Sequence, residues 1–220
     1  GYFEDENSPE ELIITNNIFD IRTEKGREKV TWAVKNTILK FINEDHKALL
    51  KSVFGNATAS IPVADKNFIL LWQLCINNKL IREITCNVFI KTFYSGRAAI
   101  SSDDIIGYLK EQINDPSSEL QKNWAEETIY RIATKYLSLM TKLGLVSTGR
   151  VKSFEPVRMS REAQTLFLYF TKVISPNTSN LYTSEILQLL FIQEQDLLDR
   201  LKKLSMKGLF NISLSGTSLN

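Results

Sequence analysis

Residues 65–94 place the tightest constraint on the fold. They carry Phe68, Leu71, Trp72, Cys75, Leu80, Ile81, Ile84, Val88, Phe89 and Phe93 at helical spacing, with a break at Asn77-Asn78. An apolar helix stripe is stable only when another element covers it, so two such helices in a row demand a helical core around them. The most apolar run, FILLWQLCI at 68–76, is too short to span a bilayer, which takes about 20 apolar residues. Asn77, Asn78, Lys79, Arg82 and Glu83 follow it at once. The stretch is therefore expected to be the core of a helical N-terminal domain, with no membrane partner.

The flanking sequence supplies further helices. Ser8-Pro9-Glu10-Glu11 is a helix start, a cap with proline and acids on the positive end of the dipole, and the helix is expected to reach Phe19. Others are expected over 24–42 and 44–54, with GNATASIP (55–62) as a loop. YSGR (94–97) marks a boundary. A helix from Ser102 to Ile113 follows, stopped by NDP (114–116). Ser118 with Gln121 has the spacing of a capping box and predicts a short helix to Trp124. A long helix over 126–143 ends at Gly144, and Leu145-Val146 and 154–159 read as strands around STGRVKS. Helices are expected at 161–174, 182–190 and 194–206, then a strand and turn in LFNISLSG. With five prolines and nine glycines in 220 residues, a loop-rich β protein is disfavoured. The expected architecture is mainly α: an N-terminal helical domain (1–95), a winged helix-turn-helix (96–162), and a second helical or winged module (163–220).

The helix at 126–143 has two unlike faces. Ile129, Ile132, Ala133, Tyr136, Met140 and Leu143 share the side that meets a core. Thr128, Arg131, Lys135, Ser138 and Lys142 share the other, which bears three cations, two hydroxyls and no acid. Glu126 and Glu127 sit in the first turn, where the helix dipole explains them. A DNA-recognition helix needs this division, with one side anchored and the other offering cations to phosphates and donors to base edges. The net charge of +2 hides a segregation. Residues 1–20 hold six acids and no cation, which leaves 27 Lys and Arg against 19 acids, or +8, in the remainder. Between Lys122 and Lys172 nine cations face four acids, a net +5. The candidate DNA contacts are Lys122, Thr128, Arg131, Lys135, Ser138 and Lys142 with Arg150, Lys152 and Arg158. The same pattern also suits a solvated helix face, and winged helices also dock proteins, so both readings stand.

Sliding the chain by 64 residues sets Leu137 on Leu201, Met140 on Leu204 and Gly144 on Gly208. That is consistent with a repeated unit and equally with two unrelated amphipathic helices. The second helix exposes Glu194, Asp196, Asp199, Arg200 and Lys203 in mixed sign, and residues 183–220 are charge-neutral, which suits packing or partner docking better than DNA.

Signals for catalysis are missing. Cys75 and Cys86 lie eleven apart within apolar sequence and read as buried free thiols of a reducing cytosol. The single histidine, His46, reads as a surface residue, and Trp32, Trp72 and Trp124 as core. There is no zinc ligand set, phosphate loop or nucleophile elbow. Asp103 and Asp104 are explained by a helix start. The acidic start is unlike a signal peptide, and Gly1 without a methionine is what a trimmed terminus would show. A non-enzymatic, cofactor-free cytoplasmic protein is expected.

DIRTEKGREKVTWAVKNTIL (20–39), LLWQLCINNKLIREITCNVFIKTF (70–93) and EETIYRIATKYLSLMTKLGLV (126–146) together resemble the BrxA family of BREX bacteriophage-defence systems. The shared pattern is a Leu-Leu-Trp-x-x-x-Cys helix, an Ile-Arg-Glu helix closing in Val-x-x-x-x-Phe, and a long helix ending in Gly-Leu-Val. It covers about 20–150 in pieces and stops short of the chain beyond about 165. The resemblance implies an all-helical, non-catalytic, DNA-associating component working beside a methyltransferase and other BREX proteins. It names neither the DNA sequence preferred nor the oligomeric state.

Overall fold

The computed structural model describes residues 7–55, 61–120, 123–175, 184, 186–208 and 210–211, together with the backbone of 214–215 and 218–219. A π-helical turn, Glu11–Thr15, leads into α1 (Glu24–Thr37) and α2 (Glu44–Phe54). Next come α3 (Val63–Asn77), α4 (Lys79–Ile84), a π-helical turn (Thr85–Phe89) and α5 (Ile90–Tyr94). A short strand, β1 (Ala99–Ile100), precedes α6 (Ser102–Asn114) and α7 (Glu126–Lys142). Beyond β2 (Lys152–Ser153) lie α8 (Arg161–Ile174), a 3-10 turn (Leu187–Leu190), α9 (Glu194–Ser205) and a terminal hairpin, β3 (Leu214–Ser215) with β4 (Ser218–Leu219). The protein is mainly helical, as expected. Among the described residues no helix is long and apolar enough to cross a membrane.

Local chemistry explains most boundaries. Asn78 is extended and separates α3 from α4, and its side chain caps the Ile81 N–H. Ser101 caps α6 by accepting from the Asp104 N–H, while the Asp104 carboxylate accepts from the Ser101 N–H, a complete capping box. Gly144 closes α7 at φ +72°, in the left-handed region where a side chain is strained.

Four expectations are corrected. The first helix stops at Thr15, because Asn17 turns left-handed (φ 45°) and its side chain accepts the Ile21 N–H. α1 stops at Thr37 rather than 42. The carbonyls of Thr37, Ile38 and Lys40 accept hydrogen bonds at 2.7–2.9 Å from the Gln73 and Asn77 amides of α3, so another helix satisfies this end. Residues 116–120 form turns instead of a short helix; the Ser118 hydroxyl donates to Gln112 and accepts the Leu120 N–H, two residues on, at 3.1 Å. Gln121, the partner in the expected capping box, lies outside the described residues. The strand expected at 154–159 is shifted to 152–154, where pairing partners exist.

Those partners build a small sheet. β1 and β2 are antiparallel with Ala99 opposite Ser153 and Ile100 opposite Lys152. On the other side of β2, Val146 bridges Phe154, and the Ser147 N–H donates to the Ser153 carbonyl at 2.9 Å. Residues 147–151 are thus the turn of a hairpin projecting beyond the end of α7.

One continuous apolar cluster runs through the molecule from Leu50 to Leu204. Trp72 is fully buried, packs edge-on against Phe167 (4.9 Å between centroids), and donates its indole N–H to the Leu189 carbonyl. Phe191 sits in the left-handed region (φ 51°), unusual for a bulky residue, with its ring against Phe68, Phe89 and Phe93. Such a backbone costs on the order of 1–3 kcal/mol, which burial of an aromatic ring offsets. Residues on both sides of each expected domain boundary share this core.

Two side chains occupy environments opposite to those expected. His46 is buried, held edge-on between Phe41 and Phe170, with its Nδ1 accepting the Ile42 N–H. Burial lowers its pKa, partly opposed by the Gln73 side chain. Trp32 is 69% exposed, because α1 is covered on one side by the π-helical turn and α3 while its other side faces water. Trp124 is half-buried against the core.

Candidate functional site

α7 presents the two faces its sequence predicts. Ile129, Ala133, Tyr136 and Met140 are buried, whereas Thr128, Arg131, Lys135, Ser138 and Lys142 are exposed. The helix is locked from beneath by a buried polar contact, with the Tyr136 hydroxyl 3.0 Å from Thr85 Oγ1. Burial pushes the Tyr136 phenol well above its ordinary pKa, so it stays neutral. α6 braces the same helix from the side. The Lys110 ammonium meets Glu126 at 2.9 Å and holds that carboxyl below the usual range.

A groove of about 670 Å³ opens between α7, the hairpin turn and the start of α6. Its cations are Lys142 from α7, Arg150 and Lys152 from the hairpin, and Arg97 from the residues before β1. Ser101, Ser102, Thr134, Ser138 and Thr141 supply hydroxyls, and among the described residues no Asp or Glu lines it. Arg97 was not legible as a site residue. β-pairing across about fifty residues brings it there, and no local pattern encodes that. Thr134, Ser138 and Thr141 follow helical spacing along one flank of α7, so that hydroxyl line was open to sequence reasoning.

Of the residues singled out from sequence, the groove gathers Ser138, Lys142, Arg150 and Lys152. Thr128, Arg131 and Lys135 lie along the exposed face of α7 outside it. Arg158 is exposed between β2 and α8, also outside the groove, and Lys122 lies outside the described residues. Among the described residues, Arg131, Lys135, Lys142 and Arg150 have no carboxylate partner. Lys152 reaches the Ser147 carbonyl at 3.3 Å. Among the described residues Arg97 alone of the groove cations has a carboxylate partner, held bidentately by Asp104 at 2.6 and 2.9 Å. Its guanidinium holds the Asp104 carboxyl below the usual range despite partial burial.

The chemistry of such a surface, cations with hydroxyl donors, suits anions. The described residues hold no group of three or more His, Cys, Asp or Glu that could bind a metal. Cys75 and Cys86 are both buried, and burial pushes the Cys75 thiol up to about 12, so it is no thiolate nucleophile near neutral pH.

These features define a mainly helical protein with a cationic, acid-free groove beside an amphipathic helix. The chain belongs to the BrxA family, whose model matches residues 3–168, and it is thereby associated with BREX defence. The match spans α1 to α7 and the groove, and it leaves out α9 and the terminal hairpin. No curated protein and no solved structure matches the chain.

Proposed function

We propose that this BrxA-family protein is a non-catalytic, double-stranded-DNA-binding component of a BREX defence assembly. In this reading β1, α6, α7 and the hairpin act as a winged helix, with α7 as recognition helix and residues 147–151 as wing. Arg131, Lys135 and Lys142 contact the phosphate backbone or the groove edge from the helix, and Arg150 and Lys152 do so from the wing. Sequence selectivity is limited, because most of these groups suit phosphates rather than base edges. The observation that carries the reading is the run of exposed cations on α7 and the hairpin, without carboxylate partners and continuous with a groove free of acids among the described residues. Other BREX proteins are its partners.

Five phosphate contacts give a log–log dependence of affinity on salt with a slope of about −4 to −5. Fluorescence anisotropy on a duplex across a salt series measures it. The double substitution Arg131→Glu/Lys135→Glu should weaken binding at least tenfold and flatten the slope by about two. A folded double variant with wild-type affinity at every salt concentration rejects this surface.

A second reading, a protein-binding adaptor without DNA contact, is favoured by Ile18, Phe19 and Trp32, which leave 55–69% of their surface exposed on the N-terminal arm. It requires a wild-type protein that shifts no duplex even at low salt.

A further inference from the structure

The groove contains one cation that the DNA-binding reading does not use, and its setting is unlike that of the others. Arg97 lines the same groove as Lys142 and Arg150. Its Nη1 and Nη2 donate to the two oxygens of Asp104, while Asp104 also accepts from the Ser101 N–H and hydroxyl at 2.7 and 2.9 Å. The carboxylate is thus fully engaged, is itself absent from the groove lining, and is only 20% exposed. The guanidinium remains half exposed. A guanidinium carries five N–H donors, so three remain after the bidentate pair. An arginine whose fork is already fixed loses little further freedom when it takes a second planar or tetrahedral anion.

We propose that Arg97 is a phosphate-binding residue and Asp104 its positioning residue, so that one sugar–phosphate strand of the duplex lies in the groove between α7 and the hairpin. This rests on the DNA-binding reading and deepens it. In the groove the strand meets Arg97 together with Lys142 and Arg150, while the groove hydroxyls face its ester oxygens. The β1–β2 register brings Arg97, just before β1, to the groove that Lys152 lines, since Ile100 stands opposite Lys152. The Arg97–Asp104 pair has no net charge, so it contributes directed, charge-assisted hydrogen bonds rather than long-range attraction.

That distinction supplies the test. Arg97→Gln alone is ambiguous, because it would release the Asp104 charge beside DNA. The charge-conserving double variant Arg97→Gln/Asp104→Asn removes the charged guanidinium fork and leaves the net charge unchanged. With a fluorescein-labelled duplex in anisotropy titrations, this variant should bind about tenfold more weakly, while its salt slope stays within one unit of wild type. A pair that only staples α6 to the preceding turn predicts a lower thermal midpoint and unchanged affinity, and that result overturns the proposal. If the double variant does not fold, Arg97→Lys keeps the charge but loses the fork. It should lose roughly threefold in affinity, and wild-type affinity would again overturn the assignment. Failure of the DNA-binding reading is distinguishable: wild-type protein would then show no salt-dependent duplex binding, whereas failure of the Arg97 assignment alone leaves wild-type binding intact.

Discussion

The contact between Thr85 and Tyr136 anchors the site helix, and its proton inventory yields an asymmetric prediction. Thr85 has one hydroxyl hydrogen, and the Ile81 carbonyl, 2.7 Å away, can only accept it. Tyr136 must therefore be the donor across the 3.0 Å gap to Thr85 Oγ1. Tyr136→Phe removes one buried hydrogen bond, but Thr85 keeps Ile81 as acceptor and Cys75 as a weak donor at 3.7 Å. The cost should be about 1 kcal/mol. Thr85→Val preserves shape but strands the Tyr136 hydroxyl, which is buried with no other partner among the described residues. That adds the desolvation of an unmade donor, for about 2–3 kcal/mol in all. Once Thr85 is replaced, deleting the tyrosine hydroxyl removes the stranded group. The double variant should be no less stable than Thr85→Val alone, and the cycle should be strongly non-additive. Urea unfolding followed by far-ultraviolet circular dichroism measures all three. Equal costs for the single variants, or additive costs in the double, would refute the donor assignment and the claim that this contact fastens α7.

His46 should make stability fall with acid. Its folded pKa is depressed by burial, so the unfolded chain takes up a proton near the ordinary value of 6.5 while the native state stays neutral. The stabilisation is complete above that pH and is lost below it, by up to about 1.4 kcal/mol per pH unit. Urea midpoints that stay flat between neutrality and mild acid would show that the imidazole ionises freely in the fold. The glycines of the site helices should respond in opposite directions. Gly107→Ala, in α6 with open space around the added methyl, should stabilise by roughly 0.5–1 kcal/mol. Gly144→Ala, at φ +72°, should destabilise by about 1–2 kcal/mol, and urea unfolding reads both.

Where a residue's role depends on its sequence neighbours, it was legible. The break at Asn77-Asn78, the α6 start at Ser102, the end of α7 at Gly144 and the polar face of α7 all follow from helix-end chemistry, backbone preference and helical period. The legible part of the site is the part lying on one helix and one turn: Ser138, Lys142, Arg150 and Lys152. The strand expected at 154–159 shows the limit. A strand is defined by its partners, and Ala99 and Ile100 are remote in sequence, so the pairing set the register at 152–154.

Trp32 and His46 show the same division in the core. Hydrophobicity marks a side chain as suited to burial, but whether it is covered depends on which neighbours reach it. Among the described residues nothing covers the outer side of α1, so Trp32 stays exposed. Phe41 and Phe170, one adjacent and one 124 residues away, enclose His46. The sequence alone settled which segments coil into helices and which faces are charged, because those are short-range properties of the chain. Tertiary structure alone decided that Phe191 would plug the N-terminal helices and that Arg97 would line one groove with Lys142, because both depend on contacts whose closure no local pattern records.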